Sequence, residues 1–230
     1  MKKKLFEPYL NKAKKDHHIL GKNQLKQFAV LVSLVELDGE YHFLFEKRAS
    51  NIRQGGEISF PGGGYEAGDL SFEATVIRET CEELGVTPEQ VEIITQVDTF
   101  VSHVYIENYL GLIKIDSLEE LEINKDEVDY VFTLPVQYFI DKQPEIYGIK
   151  VRSFSSETDE KGNIIEYMPV EALDLPKRYH KSWSEREREV YVYRTPYGTL
   201  WGITALIVYD TLYNYLDILP SNEEVGDDHD

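Results

Sequence analysis

Between Ser59 and Val86 the chain reads SFPGGGYEAGDLSFEATVIRETCEELGV, a glycine-rich turn running directly into an acidic helix. This stretch constrains the fold most, because residue type fixes both ends of the helix. Ser71 with acidic residues close by marks its start, and Gly85 is placed to stop it after Leu84. At about 100° per residue, Glu79, Glu82 and Glu83 fall within one sector roughly 100° wide. Ala74, Ile77, Cys81 and Leu84 gather opposite them, so that side is the expected core face and Cys81 an expected buried thiol. The three carboxylates are then expected to project together, away from the core. Like charges at this spacing cost roughly a few tenths of a kcal/mol per pair. A hard divalent cation, Mg²⁺ or Mn²⁺, would offset the repulsion. An acidic helix face is ordinarily a solvated one. The FPGGG turn upstream alters that reading, since its glycines can bring backbone atoms close to a ligand or metal.

The flanking segments read as a mixed α/β chain. Phe28 to Leu37 and Tyr41 to Lys47 are strand-like runs joined by Asp38-Gly39, a strong hairpin signal. VEIITQVDTFV and YIENYLGLIKI read as strands, and DEVDYVFTLPVQYFI as a strand followed by a helix from near Pro135. Residues 145–170 read as a hairpin around DEKGN. A second hairpin turns at PYG, and a helix follows from about Ile203 to Leu219. SEREREV, with its alternating charges, reads as an exposed, ion-paired segment. No repeat or linker-like break divides the chain. The expected organisation is an N-terminal helical extension over 1–24, one domain over 25–219 and a flexible acidic tail over 220–230.

Composition narrows the possible partners. With a net charge of -18, nonspecific binding to nucleic acid or an anionic membrane is disfavoured. A small phosphorylated ligand stays compatible, since metal ions and a few local arginines can neutralise one. A single cysteine excludes an intrachain disulfide and points to a reducing compartment. No apolar run follows the basic MKKK start, and the longest, Phe28 to Leu37, is about half of what a membrane-spanning helix needs. A cytoplasmic setting is the expectation.

The segment from Gly63 to Val86 resembles the signature of the Nudix hydrolases, usually written G-x5-E-x7-R-E-U-x-E-E-x-G-U with U apolar. Asp69 stands where the pattern has its first glutamate, eight rather than seven residues precede Arg78, and Thr80 takes the first apolar position. RETCEELGV otherwise keeps the second half whole. Upstream, LFEKRASNIRQGGEISFPGG is similar to the motif that precedes the box in Nudix coenzyme A pyrophosphatases, with Arg48, Ala49, Arg53 and Gly56 matching. The gap from Arg53 to Gly56 is one residue shorter than usual. The resemblance covers roughly residues 25–215.

What it implies is a Nudix-type α/β/α sandwich around a mixed β-sheet and metal-dependent cleavage of a pyrophosphate bond. Coenzyme A or a derivative is the expected substrate, giving 4′-phosphopantetheine and adenosine 3′,5′-bisphosphate. Another nucleoside diphosphate derivative such as ADP-ribose is the alternative, and a non-catalytic Nudix binding module a further one. By the resemblance, Gly62 (through its carbonyl), Glu79, Glu82, Glu83 and Glu127 hold the metal, with Glu83 or Glu127 a candidate base. Arg78 orients a carboxylate, while Arg48, Arg53, Gly62 and Gly63 meet the substrate. A homodimer is also expected from the resemblance.

Overall fold

The computed structural model describes residues 19–218. The expected N-terminal helix and the acidic tail lie largely outside the described residues. The described residues form thirteen strands in chain order. β1 (Lys26–Leu37) and β2 (Glu40–Arg48) form the expected hairpin, with Leu37 opposite Glu40 and both turn residues, Asp38 and Gly39, at positive φ. β3 (Ile58–Ser59) and β4 (Gly62–Gly64) bracket Phe60 and Pro61. After helix α1 (Phe72–Leu84) come β5 (Val91–Gln96), β6 (Phe100–Val101) and β7 (Val104–Ile113). β8 (Val128–Pro135) leads into α2 (Val136–Asp141).

These eight strands make one mixed sheet with β1 at its centre, parallel to β7 and antiparallel to β2 and β4. The near-continuous apolar run of β1 follows from burial on both faces. Val30, Val32 and Leu34 face one cluster, completed by Phe43, Phe45, Phe139 and Val208. Ala29, Leu31 and Val35 face the other, beneath Val76 and Leu84 of α1. With α1 on one face and α2 and α3 (Gly202–Tyr209) on the other, the expected α/β/α layering is the one observed.

The rest of the chain departs from the local reading. The DEKGN hairpin forms, as β10 (Ser156–Thr158) against β11 (Ile164–Glu166). β9 (Glu145–Ser153), however, pairs with β12 (Trp183–Thr195), which also carries β13 (Gly198–Trp201). SEREREV is thus a strand segment, exposed as expected, with Glu185 bridging Lys150 and Arg152 at 3.1 and 3.0 Å. The last helix changes to π geometry over Asp210–Tyr215. Among the described residues no helix is long and apolar enough to cross a membrane.

What positions the site is a split in the sheet. β1 and β2 stay paired from Leu37–Glu40 to Leu34–Phe43 and then diverge. The β3–β4 segment wedges between them, β3 taking Glu46 and Lys47 of β2 while β4 takes Phe28 to Val30 of β1. At the apex the buried Ser33 hydroxyl donates to the Leu44 carbonyl at 2.8 Å, a group the hairpin ladder no longer serves. Leu31 N–H donates to the Pro61 carbonyl at 2.9 Å, and Phe60 stacks on Phe45 at 4.7 Å between ring centroids. The glycine turn is thereby anchored into the core. Ser33→Ala leaves the Leu44 carbonyl buried without its donor, and is expected to lower unfolding free energy by about 1–3 kcal/mol in urea titration.

Candidate active site

Helix α1 begins where its sequence dictates. The Ser71 hydroxyl accepts from Ala74 N–H at 3.1 Å, and Gly85 closes the helix at φ 71°. Its orientation differs from expectation. The buried side is Thr75, Val76, Thr80, Glu83 and Leu84, while Ala74, Ile77 and Cys81 are half-buried. The carboxylate sector therefore straddles the edge of the core. Glu83 is 3% exposed, Glu79 is half-buried, and the Glu82 side chain is 54% exposed. The cause is the split sheet, whose opening receives the Glu83 side of the helix.

Glu83 meets the glycine turn there, its Oε2 accepting from Gly62 N–H at 2.9 Å. The glycines are required by close approach. Gly62 has φ 146°, and a Cβ on it would lie 2.3 Å from the Ala29 carbonyl oxygen. A Cβ on Gly63 would lie 2.3–2.5 Å from the Glu79 carboxylate. The turn thus lets one strand lie against β1 and one carboxylate lie against the turn.

A second buried carboxylate, unnoticed in the sequence, faces Glu83. Glu46, near the end of β2, is fully buried, accepting from the Ser59 hydroxyl at 2.9 Å with Arg48 at 3.6 Å. Among the described residues its Oε2 has no hydrogen-bond partner, nor has Arg48 Nε. Burial pushes the Glu46 carboxyl up to about 7, against hydrogen bonds from Ser59 and Glu83 and the Arg48 charge. Burial, then the Glu46 charge, holds Glu83 well above the ordinary carboxylate range. Each of these two buried carboxylates disfavours ionisation of the other. The only available signal was a glutamate among Phe43, Leu44 and Phe45, at a position the hairpin pattern makes internal.

Arg78 holds the outer side. Its Nε and Nη2 donate to the two oxygens of Asp69, each at 3.0 Å, and Nη2 also reaches the Gly64 carbonyl at 3.1 Å. Nη1 lies 3.0 Å from Glu79 and 3.2 Å from Glu82. Asp69 also accepts from Glu66 N–H and the Thr75 hydroxyl. Hydrogen bonding to Arg78 keeps it ionised, well below the usual range. Burial raises Glu79, and Arg78 opposes the rise.

One cleft of about 500 Å³ gathers most of the expected residues: Arg48, Arg53, Gly62, Gly63, Glu79, Glu83 and Glu127, with His103 on its wall. Glu127 is exposed ahead of β8. Its charge adds to the rise of Glu46 and Glu79. Arg53 is exposed and makes no ion pair among the described residues. Glu82 and Arg78 stand outside the lining. A depression of similar size at Glu36, Asp38 and Lys114 has neither arginine nor buried carboxylate.

The donor set fits a hard divalent cation. All candidate ligands are oxygens, two carboxylates are buried in a site that disfavours their charge, and Glu46 Oε2 is unsatisfied. Among the described residues no three acidic, histidine or cysteine side chains already stand at metal-holding spacing. Arg78 instead supplies the positive charge between Glu79 and Glu82.

The buried pair gives the metal-free protein a pH signature. Glu46 keeps its proton up to about 7 when folded, against 4.5 for the ordinary group. Its contribution to stability is full below about pH 4.5 and is lost as pH rises through about 7. Glu46→Gln is expected to flatten this fall in thermal-melt curves recorded with chelator between those limits. At Gly63 the added methyl of Gly63→Ala meets a movable carboxylate rather than backbone. The melting temperature is expected to shift by only a few degrees, about 1 kcal/mol, while metal binding followed by calorimetry weakens.

The model of the NUDIX domain matches residues 26–191. The peroxisomal coenzyme A diphosphatase NUDT7 of Mus musculus is 33% identical over 124 residues, 53% of this chain and 51% of that protein. The chain thus spans about half the length of that relative. The Nudix hydrolase NudL of Enterobacter sp. (strain 638) is 36% identical over 187 residues, 80% of this chain and 79% of its own. Among solved structures, a Caenorhabditis elegans Ap4A hydrolase binary complex is 21% identical at a TM-score of 0.40, covering 48% of this chain and 80% of that one. Nudix hydrolases generally use divalent metal ions. With the domain model spanning most of its length, the chain belongs to the NUDIX family.

Proposed function

We propose that this protein is a Mg²⁺- or Mn²⁺-dependent pyrophosphohydrolase acting on coenzyme A or its derivatives. The observation that carries the reading is the shared cleft, which Arg48 and Arg53 line together with Glu79, Glu83, Glu127 and the glycine turn. In a chain of net charge -18, two arginines in one acidic cleft favour a ligand that bears phosphate, which guanidinium groups bind in bidentate fashion. The coenzyme A diphosphatase among the relatives supports the choice of substrate.

Glu79, Glu83 and Glu127, with Glu46 behind Glu83, would hold the cation, and Glu82 could join them by leaving Arg78. The bound ion supplies charge neutralisation at the diphosphate and a water of lowered pKa. Arg48 and Arg53 bind phosphate oxygens and keep the diphosphate in one orientation. Arg78, clamped by Asp69, fixes the start of the carboxylate sector. A carboxylate of the cleft, Glu83 or Glu127, takes the proton as the water oxygen bonds to phosphorus. The bridging P–O bond then breaks, leaving 4′-phosphopantetheine and adenosine 3′,5′-bisphosphate.

The test is incubation of the purified protein with Mg²⁺ and coenzyme A, ADP-ribose, NADH or diadenosine polyphosphates, with products identified by mass. Coenzyme A is expected to give the two products named. Turnover of ADP-ribose instead would replace the substrate, and no turnover of any compound would leave a binding module. Glu83→Gln is expected to lower kcat by about a hundredfold or more with the fold intact by circular dichroism. An unchanged rate would remove Glu83 from the machinery.

A further inference from the structure

A second cavity, of about 360 Å³, adjoins the cleft between the start of β6, the middle of β7 and the last helix. Val97, Phe100, Leu206 and Ile207 give it apolar walls, while Asp98, Asn108 and Asp210 present oxygens. Among the described residues no lysine, arginine or histidine lines it, the nearest guanidinium named against its walls being that of Arg188, 5.3 Å from the Phe100 ring centroid. Asn108 is 3% exposed. Its Nδ2 donates to the Asp98 carbonyl at 2.7 Å, which fixes the amide orientation and turns Oδ1 into a free acceptor. That Oδ1 is buried without a hydrogen-bond partner among the described residues. A buried amide oxygen is costly to leave without a donor.

The lining selects a ligand class. Two carboxylates and an amide oxygen repel phosphate and invite N–H donors, while the apolar walls accept methyl and methylene groups. Position links the cavity to the cleft. Ile207 lines both, and Phe100 lies opposite Ile106, itself a cleft residue, in the β6–β7 ladder. A chain leaving a diphosphate in the cleft and passing Ile207 reaches this second cavity.

We propose that the cavity seats the uncharged, amide-bearing aliphatic arm of the substrate, with Asn108 Oδ1 accepting an amide N–H and Phe100, Leu206 and Ile207 packing its hydrocarbon. The inference rests on the coenzyme A reading and assigns a place to the 4′-phosphopantetheine half. It makes Asn108 and Leu206 specificity residues, separate from the metal-binding carboxylates.

Product inhibition of coenzyme A hydrolysis tests it, because the two products carry the two halves separately. In Leu206→Trp, whose indole fills the cavity from a half-exposed position, the inhibition constant of 4′-phosphopantetheine is expected to rise about tenfold or more. In Asp98→Ala, an exposed side chain, the expected rise is about threefold; at about 1.4 kcal/mol per tenfold, both are within the range of a lost contact. The constant for adenosine 3′,5′-bisphosphate should move less than about twofold in either. Unchanged 4′-phosphopantetheine inhibition in both variants overturns the assignment, as does an equal rise for both products. If Leu206→Trp fails to fold, Asp98→Ala decides. Wild-type protein that leaves coenzyme A intact overturns the substrate reading and this inference with it, whereas hydrolysis with unmoved inhibition constants overturns this inference alone.

Discussion

Two strands that begin as a tight hairpin cannot both keep their partners once a third segment is driven between them. Here the wedge is the turn from Ile58 to Gly64, and most of the site follows from it. Carried further, the hairpin register would set Glu46 against Leu31; instead Glu46 pairs with Ser59 and Leu31 donates to Pro61. The freed Leu44 carbonyl is served by Ser33. Proline at 61 fits because its carbonyl, not an N–H, is needed there. Glycine at 62 fits because any side chain would strike the β1 backbone. The opening is held apart by Phe60 on Phe45, so packing energy of the aromatic core maintains a polar cavity.

That cavity is filled in an electrostatically expensive way. Burying two carboxylates beside each other disfavours their ionisation, and the metal-free protein meets this with protons and with Gly62, Ser59 and Arg48 as partners. A proton is a weak substitute for a divalent cation among oxygens. Were a divalent cation held by these carboxylates, the burial that raises Glu46 to about 7 would make its binding release protons near neutral pH. Outside the opening, the positive charge comes from Arg78 and is not exchangeable, since Asp69 grips it with both oxygens. The helix thus carries one face tuned by burial and another by a fixed ion pair.

Legibility in the sequence followed the range of the interactions. The Asp38-Gly39 hairpin, the Ser71 cap and the Gly85 stop are local, and all form where the residues indicate. The sector of Glu79, Glu82 and Glu83 was also readable, but its direction was not. A helical wheel assigns the core to the apolar side. Here Thr75, Thr80 and Glu83 are buried while Cys81 is half-buried, because the helix lies over an opening lined with polar atoms. Glu46 was missed for the same reason: its partner comes from 37 positions later (83 less 46) and from another element. The pairing of β9 escaped likewise, since its partner strand starts thirty positions beyond the end of its own.

Two of the departures from the family pattern, Asp69 for glutamate and the extra residue before Arg78, have one physical account. A carboxylate at this position must reach a guanidinium on the first turns of α1 while its backbone is still in the loop. Asp69 accepts from Glu66 N–H on the loop and from the Thr75 hydroxyl on the helix, which fix its carboxylate between the two. The added residue lets the loop come round with Ser71 capping the helix, so the shorter side chain meets Arg78 side-on with both oxygens. Loop length and side-chain length therefore compensate, and Arg78 keeps Nη1 for Glu79 and Glu82. Lengthening the acid alone, or shortening the loop alone, would turn the guanidinium and with it the carboxylates it orients.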